Sequence, residues 1–229
     1  MKNFLLSLRF VIKRVFRLTA ANIAWLICFA AVIAALTVVM AVVPETRGSE
    51  DYPFYLSTVP FLTVFLFFGL SSLYLDIYAS VYIRTSGLYK CLRTRAVQVF
   101  LLMMSVVALT PAIIVTAVVN PSALPDFLLV SAIIIGVSLP LASTYFLMWI
   151  VFFGYSIFNL IAGFFGEHFM VEGFKFLPTE LTDSLPVAAL LAVVILLAGL
   201  IVSFVVSDII FRIRKRPRDR QMPKGAMQA

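Results

Sequence analysis

The chain has 229 residues, 62% of them hydrophobic and 13% charged, with a mean hydropathy of +1.07 and a formal net charge of +7. That balance excludes a soluble globular domain and predicts an all-α integral membrane protein, with one transmembrane domain over residues 1–211 and a basic tail over 212–229. The positive charge is accounted for by where it falls along the chain, so it gives no reason to expect nucleic acid as a partner.

Residues 1–18 carry Lys2, Arg9, Lys13 and Arg17 at roughly helical spacing, while Leu5, Leu8, Ile12 and Val15 line another face. This predicts an amphipathic helix lying in the headgroup plane of an anionic leaflet, with membrane lipid as its partner. The plainer alternative is a cationic lead-in that only orients the first span. Span one is expected over about 20–43, where Ala30, Ala31, Ala34 and Ala35 would allow another helix to approach closely. An acidic loop holding Glu45, Glu50 and Asp51 follows, then span two over about 54–82 with Phe61, Phe65, Phe67 and Phe68 in its middle.

Residues 84–95 form a short polar island between two apolar runs, with Arg84, Lys90, Arg93 and Arg95 and no carboxylate. Ser86 is a candidate helix cap, since its hydroxyl could accept from the free N–H groups of a first turn. In the helix that follows, Leu88 and Leu92 share a face with Tyr89 beside them, and Lys90 and Arg93 lie off it. A capped turn with an aliphatic and aromatic edge, held at a membrane surface, suits docking. A solvated loop whose cations only fix topology is the alternative.

Span three is expected over about 96–119 with a kink at Pro111, and residues 120–126 turn the chain back. Residues 127–165 carry no charge, and one ideal helix of that length would be nearly twice the usual hydrocarbon thickness. Two spans, about 127–144 and 145–165, hinged near Pro140 to Thr144, put the N-terminus, the 84–95 island and the tail on one side. That side then holds all the cations except Arg47 and Lys175. A single span would send the basic tail across, against the positive-inside bias. Six spans with both termini cytoplasmic are therefore expected. The external segment 166–185 is expected to lie in the outer interface, and span six covers about 186–211.

No phosphate-binding loop occurs, and neither H-E-x-x-H nor G-x-S-x-G is present. His168 is the only histidine, and with Glu167 and Glu172 it makes a poor case for a metal. Cys28 and Cys91 fall at different expected depths and predict no disulfide. The first apolar run has no short core ending in a small-residue site, so no cleaved secretory signal is expected. Asp76 and Asp208 fall near the inner ends of their spans, leaving the expected mid-membrane depth without carboxylates. That argues against an autonomous proton-coupled carrier and against an intramembrane hydrolase. No enzymatic activity and no cofactor are expected, and energy for any transport would come from outside the bundle.

An amphipathic N-terminal helix, six spans, a helix between spans two and three and an interfacial segment before the last span together resemble the type-2 permease subunit of ATP-binding-cassette exporters. The local likeness is Arg84-x-x-Gly87-x-x-Lys90-x-Leu92-x-x-Arg95. Ile83 and Ala96 stand where many members have an acidic residue and a proline. The resemblance implies that Gly87, Leu88, Tyr89, Lys90, Leu92 and Arg93 belong to a coupling helix seated in a groove of a cytoplasmic ATPase. It also implies a second permease subunit, identical or different, a bacterial plasma membrane, and an amphipathic substrate such as a lipid or peptide. Two other readings stand beside it: a non-transport scaffold or assembly factor, and the substrate-binding membrane subunit of an importer.

Overall fold

The computed structural model describes residues 2–15, 88–143 and 182–215, together with positions 24, 27, 31, 34, 35, 38, 56, 57, 59 and 60. The described residues are helical apart from short turns. Helix α1 is Lys2–Val15, α2 is Tyr89–Val119, α3 is Leu124–Ser143 and α4 is Leu185–Lys215. Among the described residues three stretches are long and apolar enough to cross a membrane: Tyr89–Val119, Pro121–Leu141 and Leu185–Ile213.

Helix α1 is amphipathic, but its buried seam is not the one expected. Ser7 and Val11, one turn apart, are fully buried, and Leu8 and Ile12 pack at the edge of the core. Ser7 sits flush because its hydroxyl donates to the Asn3 carbonyl at 2.7 Å, which satisfies it within the helix. Leu5, expected on the apolar face, is 56% exposed. It joins Leu6, Phe10, Arg9 and Lys13 on the uncovered side. The alanines at 31, 34 and 35 are also exposed, so no described helix approaches span one there.

Helices α2 and α3 form an antiparallel hairpin. Asn120 ends α2, its N–H donating to the Thr116 carbonyl at 2.9 Å. Its side-chain oxygen accepts from the Ser122 hydroxyl at 2.7 Å. Pro121 then opens a single 3-10 turn, Pro121–Ala123, where its missing N–H removes no helical bond. Pro111 lies inside α2 without ending it. Helix α3 begins earlier than expected, with Asp126 in its first turn, fully buried where a carboxylate suits the positive end of a helix. Pro140 falls in the last turn of α3 rather than between two helices.

Helices α3 and α4 pack parallel. Gly136 meets Ile195 and Gly199, and three residues on, the Leu139 carbonyl accepts from the Ser203 hydroxyl at 3.1 Å. A Cβ built on Gly199 would lie 2.5 Å from the Gly136 oxygen, so only glycine fits. Ala188, Ala192, Ser203 and Ser207 continue this buried small-residue seam along α4. Such seams let backbones approach in a membrane, where no hydrophobic force drives helices together. The remaining surface of α4 is peripheral and apolar, with Ile201 62% exposed.

Helices α3 and α4 thus run one way and α2 the other. The start of α2 and the ends of α3 and α4 lie together at the end where α1 packs. This is called the basic end below. The 119–124 turn and the start of α4 lie at the other. Residues 143 and 182 therefore lie at opposite ends of the bundle.

Spans over 61–82 and 145–165, the segment 166–181 and the tail after 215 lie outside the described residues. So do Cys28, Asp76, Arg84, Ser86 and His168.

Candidate docking face at the basic end

The 88–96 segment is not a separate short helix. It is the first part of α2, α-helical over Tyr89–Cys91, π-helical over Leu92–Ala96 and α-helical again from Val97. Leu88 is its N-cap residue and no side chain caps it; Ser86 and Gly87 lie outside the described residues. π turns recur at functional sites because they re-aim side chains without ending a helix.

The re-aiming is visible in what each side chain meets. Leu88 and Leu92 do share a face, and the Leu92 N–H donates to the Leu88 carbonyl at 2.8 Å. That face points inward. Leu92 is 2% exposed and belongs to one buried cluster with Val11, Ala96, Val97 and Phe100, where α1 crosses α2. Leu92, expected at a docking edge, is thus turned inward while Leu88 stays half-buried, because α1 supplies an apolar cover that the segment's own sequence does not reveal.

The other side of the segment faces α4. The Tyr89 and Phe211 rings lie 5.8 Å apart, inclined at 55°. The Arg93 guanidinium carbon is 5.8 Å from the Phe211 ring centre, a cation–π distance, and its Nη1 donates to the Tyr89 hydroxyl at 3.3 Å. The Lys90 ammonium is 3.7 Å from Asp208 Oδ1, and Arg212 reaches Asp208 Oδ2 at 3.5 Å. Deeper in, Gln98 Nε2 donates to the Ser207 hydroxyl at 3.3 Å, both side chains being buried. Thr94 is buried as well, its hydroxyl satisfied by the Lys90 carbonyl at 2.8 Å.

Along 88–96 the exposed side chains are cationic. Lys90, Arg95 and Arg212 are exposed, as are Arg9 and Lys13 on α1, while Leu88, Tyr89, Cys91 and Arg93 are half-buried. Arg17 lies outside the described residues. Among the described residues no group of three or more His, Cys, Asp or Glu side chains could hold a metal ion.

Asp208, Phe211 and Gln98 were not singled out by motif. A lone carboxylate one turn before Arg212 in a basic stretch was the available signal for the first. Nothing in the sequence points from Lys90 to α4. No family model, curated protein or solved structure matches the chain.

Proposed function

We propose that this chain is the membrane-spanning permease subunit of an ATP-binding-cassette exporter, driven by a separate ATPase that docks at the basic end. The observation carrying the reading is continuity. The segment expected to dock is the start of a helix that runs unbroken from Tyr89 to Val119. A push on the exposed turn is therefore delivered along a whole span rather than lost in a loop. The docking surface in this reading is Lys90 and Arg95 with the half-buried edges of Leu88, Tyr89 and Arg93, and Leu92 supports it from below.

Six spans with both termini on one side belong to the same reading. The parallel course of α3 and α4 supports it, because the intervening chain must return to the far end before α4 begins. The substrate would be amphipathic, and the subunit would work as a dimer.

The test is purification from membranes, with the bound proteins assayed for ATP hydrolysis. Wild type should retain an ATP-hydrolysing subunit, and a Lys90→Glu, Arg95→Glu variant should release it while inserting normally, since both side chains are exposed. Should an ATPase be retained equally by both, the docking face lies elsewhere. Failure of wild type to hold any ATPase would instead favour the scaffold reading, in which the same cations recruit anionic lipid.

A further inference from the structure

The start of α2 is gripped in two chemically different ways. Toward α1 it offers Leu92 and Ala96, part of a buried apolar cluster that cannot slide without opening a cavity. Toward α4 it offers an ion pair, a ring contact, a cation–π contact and one buried hydrogen bond, from Lys90, Tyr89, Arg93 and Gln98 to Asp208, Phe211 and Ser207. Polar and aromatic contacts of this kind can be exchanged for others at little net change in free energy.

The π turn makes this second grip possible. A π turn holds one residue more than the α turn it replaces, and one residue is about 100° of helical rotation. Lys90 precedes Gln98 by eight positions, which in an unbroken α-helix would set them about 80° apart. With the surplus residue taken up, seven effective steps bring them within about 20° of one line. Both side chains do reach neighbouring positions on α4, Asp208 and Ser207.

Helix α4 in turn cannot move without α3. The Gly136–Gly199 contact leaves no side chain between the two backbones, and Ser203 ties α4 to the Leu139 carbonyl. Displacing the end of α4 therefore displaces a two-helix body.

We infer that Asp208 and Phe211 are the relay by which movement of the 88–95 turn reaches α4, and through it α3. They are positioning residues: they lie behind the docking surface and act on its partner only through Lys90, Tyr89 and Arg93. That a partner ATPase supplies the movement rests on the function proposed above. That the turn and the end of α4 are energetically coupled does not.

Two measurements test this, and the first needs no partner. Hydrogen exchange is followed in the full chain in lipid nanodiscs, reading the α4 amides over residues 205–213. Lys90→Ala should speed their exchange by about two- to fivefold, the range over which a partly exposed ion pair shifts a local opening equilibrium. A Lys90→Asp, Asp208→Lys exchange of charges should bring the rate back toward wild type, which general loosening of the helix end would not. Unchanged exchange in Lys90→Ala, or no recovery in the charge exchange, overturns the coupling.

The second measurement uses the complex. With Asp208→Asn the ATPase should stay bound while substrate-stimulated ATP turnover falls several-fold, and Asp208→Glu, which keeps the carboxylate, should retain most of that turnover. Loss of the ATPase itself would make Asp208 part of the docking surface, and unaltered turnover would make it a bystander; either result overturns the relay. A wild-type chain that binds no ATPase refutes the function proposed above, and the exchange measurement still decides the coupling.

Discussion

The backbone oxygen of Gly136 and the α-carbon face of Gly199 meet with nothing between them, and a methyl group on Gly199 would lie 2.5 Å from that oxygen. Pro140, four residues after Gly136, brings no N–H to the same carbonyl, since proline has none to give. The carbonyl is thus turned to the neighbouring helix, where a Cα–H contact of the kind common at tight helix crossings can form.

Gly199→Ala should therefore destabilise the protein by about 1–3 kcal/mol, the usual effect of forcing volume into a packed seam. Gly136→Ala should do less, because its added Cβ would meet the flexible Ile195 Cγ2 and the Ile195 carbonyl oxygen, both at 3.3 Å. Ser203→Ala should cost about 0.6 kcal/mol, the mean for an interhelical hydrogen bond in a membrane. Thermal unfolding in nanodiscs ranks the three. A Gly199→Ala protein as stable as wild type would mean that the seam is not closed in the bilayer.

Leu92→Ala should lower stability by about 2–5 kcal/mol, since it empties a buried site that α1 and α2 share. Leu6→Ala and Phe10→Ala, on the uncovered side of α1, should leave unfolding within about 0.5 kcal/mol of wild type. They should instead weaken attachment to anionic vesicles of the isolated 1–18 peptide. Chemical denaturation of the membrane protein gives the first comparison and a flotation assay the second. Equal stability losses at Leu92 and Phe10 would contradict the inward face described above.

Single cysteines at Ser122 and Ser184, in a background lacking Cys28 and Cys91, should react with a membrane-impermeant reagent from one side. A cysteine at Arg212 should react only from the other. These positions flank the ends of α2, α3 and α4, and the course of α2 against the parallel pair α3 and α4 fixes the expected outcome. Reaction of Ser184→Cys and Arg212→Cys from one face of sealed vesicles would show that α4 does not cross.

Deleting Arg95 should be tolerated far better than deleting Val106. Removal of one residue from the π turn leaves an ordinary α turn with Lys90 and Leu92 still on their present faces. Removal from the regular part of α2 rotates everything before it by about 100°. Stability of the first should stay within about 1 kcal/mol of wild type, and the second should lose more than about 3 kcal/mol. Comparable damage from both would mean that the surplus residue does not set the register.

Much of this architecture is legible from charge and length alone. The end of α2 at Val119 and the turn through Asn120 follow from a run of apolar residues meeting Asn-Pro-Ser, and α4 follows from a long apolar stretch between Pro186 and Arg212 with Asp208 as its one charge. The amphipathic character of residues 2–15 is visible too, though not which of its apolar residues would be covered. Leu5 and Val11 are equally hydrophobic, and only the helix packed alongside distinguishes them. The burial of Leu92 is hidden for the same reason. The π turn has no sequence signature in Leu-Arg-Thr-Arg-Ala, because it answers a tertiary demand, namely Leu92 inside and Lys90 on Asp208 at once. Gly136 and Gly199 are 63 positions apart and neither stands in a repeated small-residue motif with the other, so their meeting is a property of the fold.

The parallel seating of α3 and α4 also sets an order of events during biosynthesis. Helix α3 leaves the ribosome with its Gly136 groove formed, but the helix that fills it begins only at Leu185. The groove must therefore persist, facing lipid or an insertion factor, while the intervening residues are synthesised. A nascent chain stopped before residue 185 would display this unfilled groove as a mark of incompleteness, and membrane quality control could recognise unfinished molecules by it.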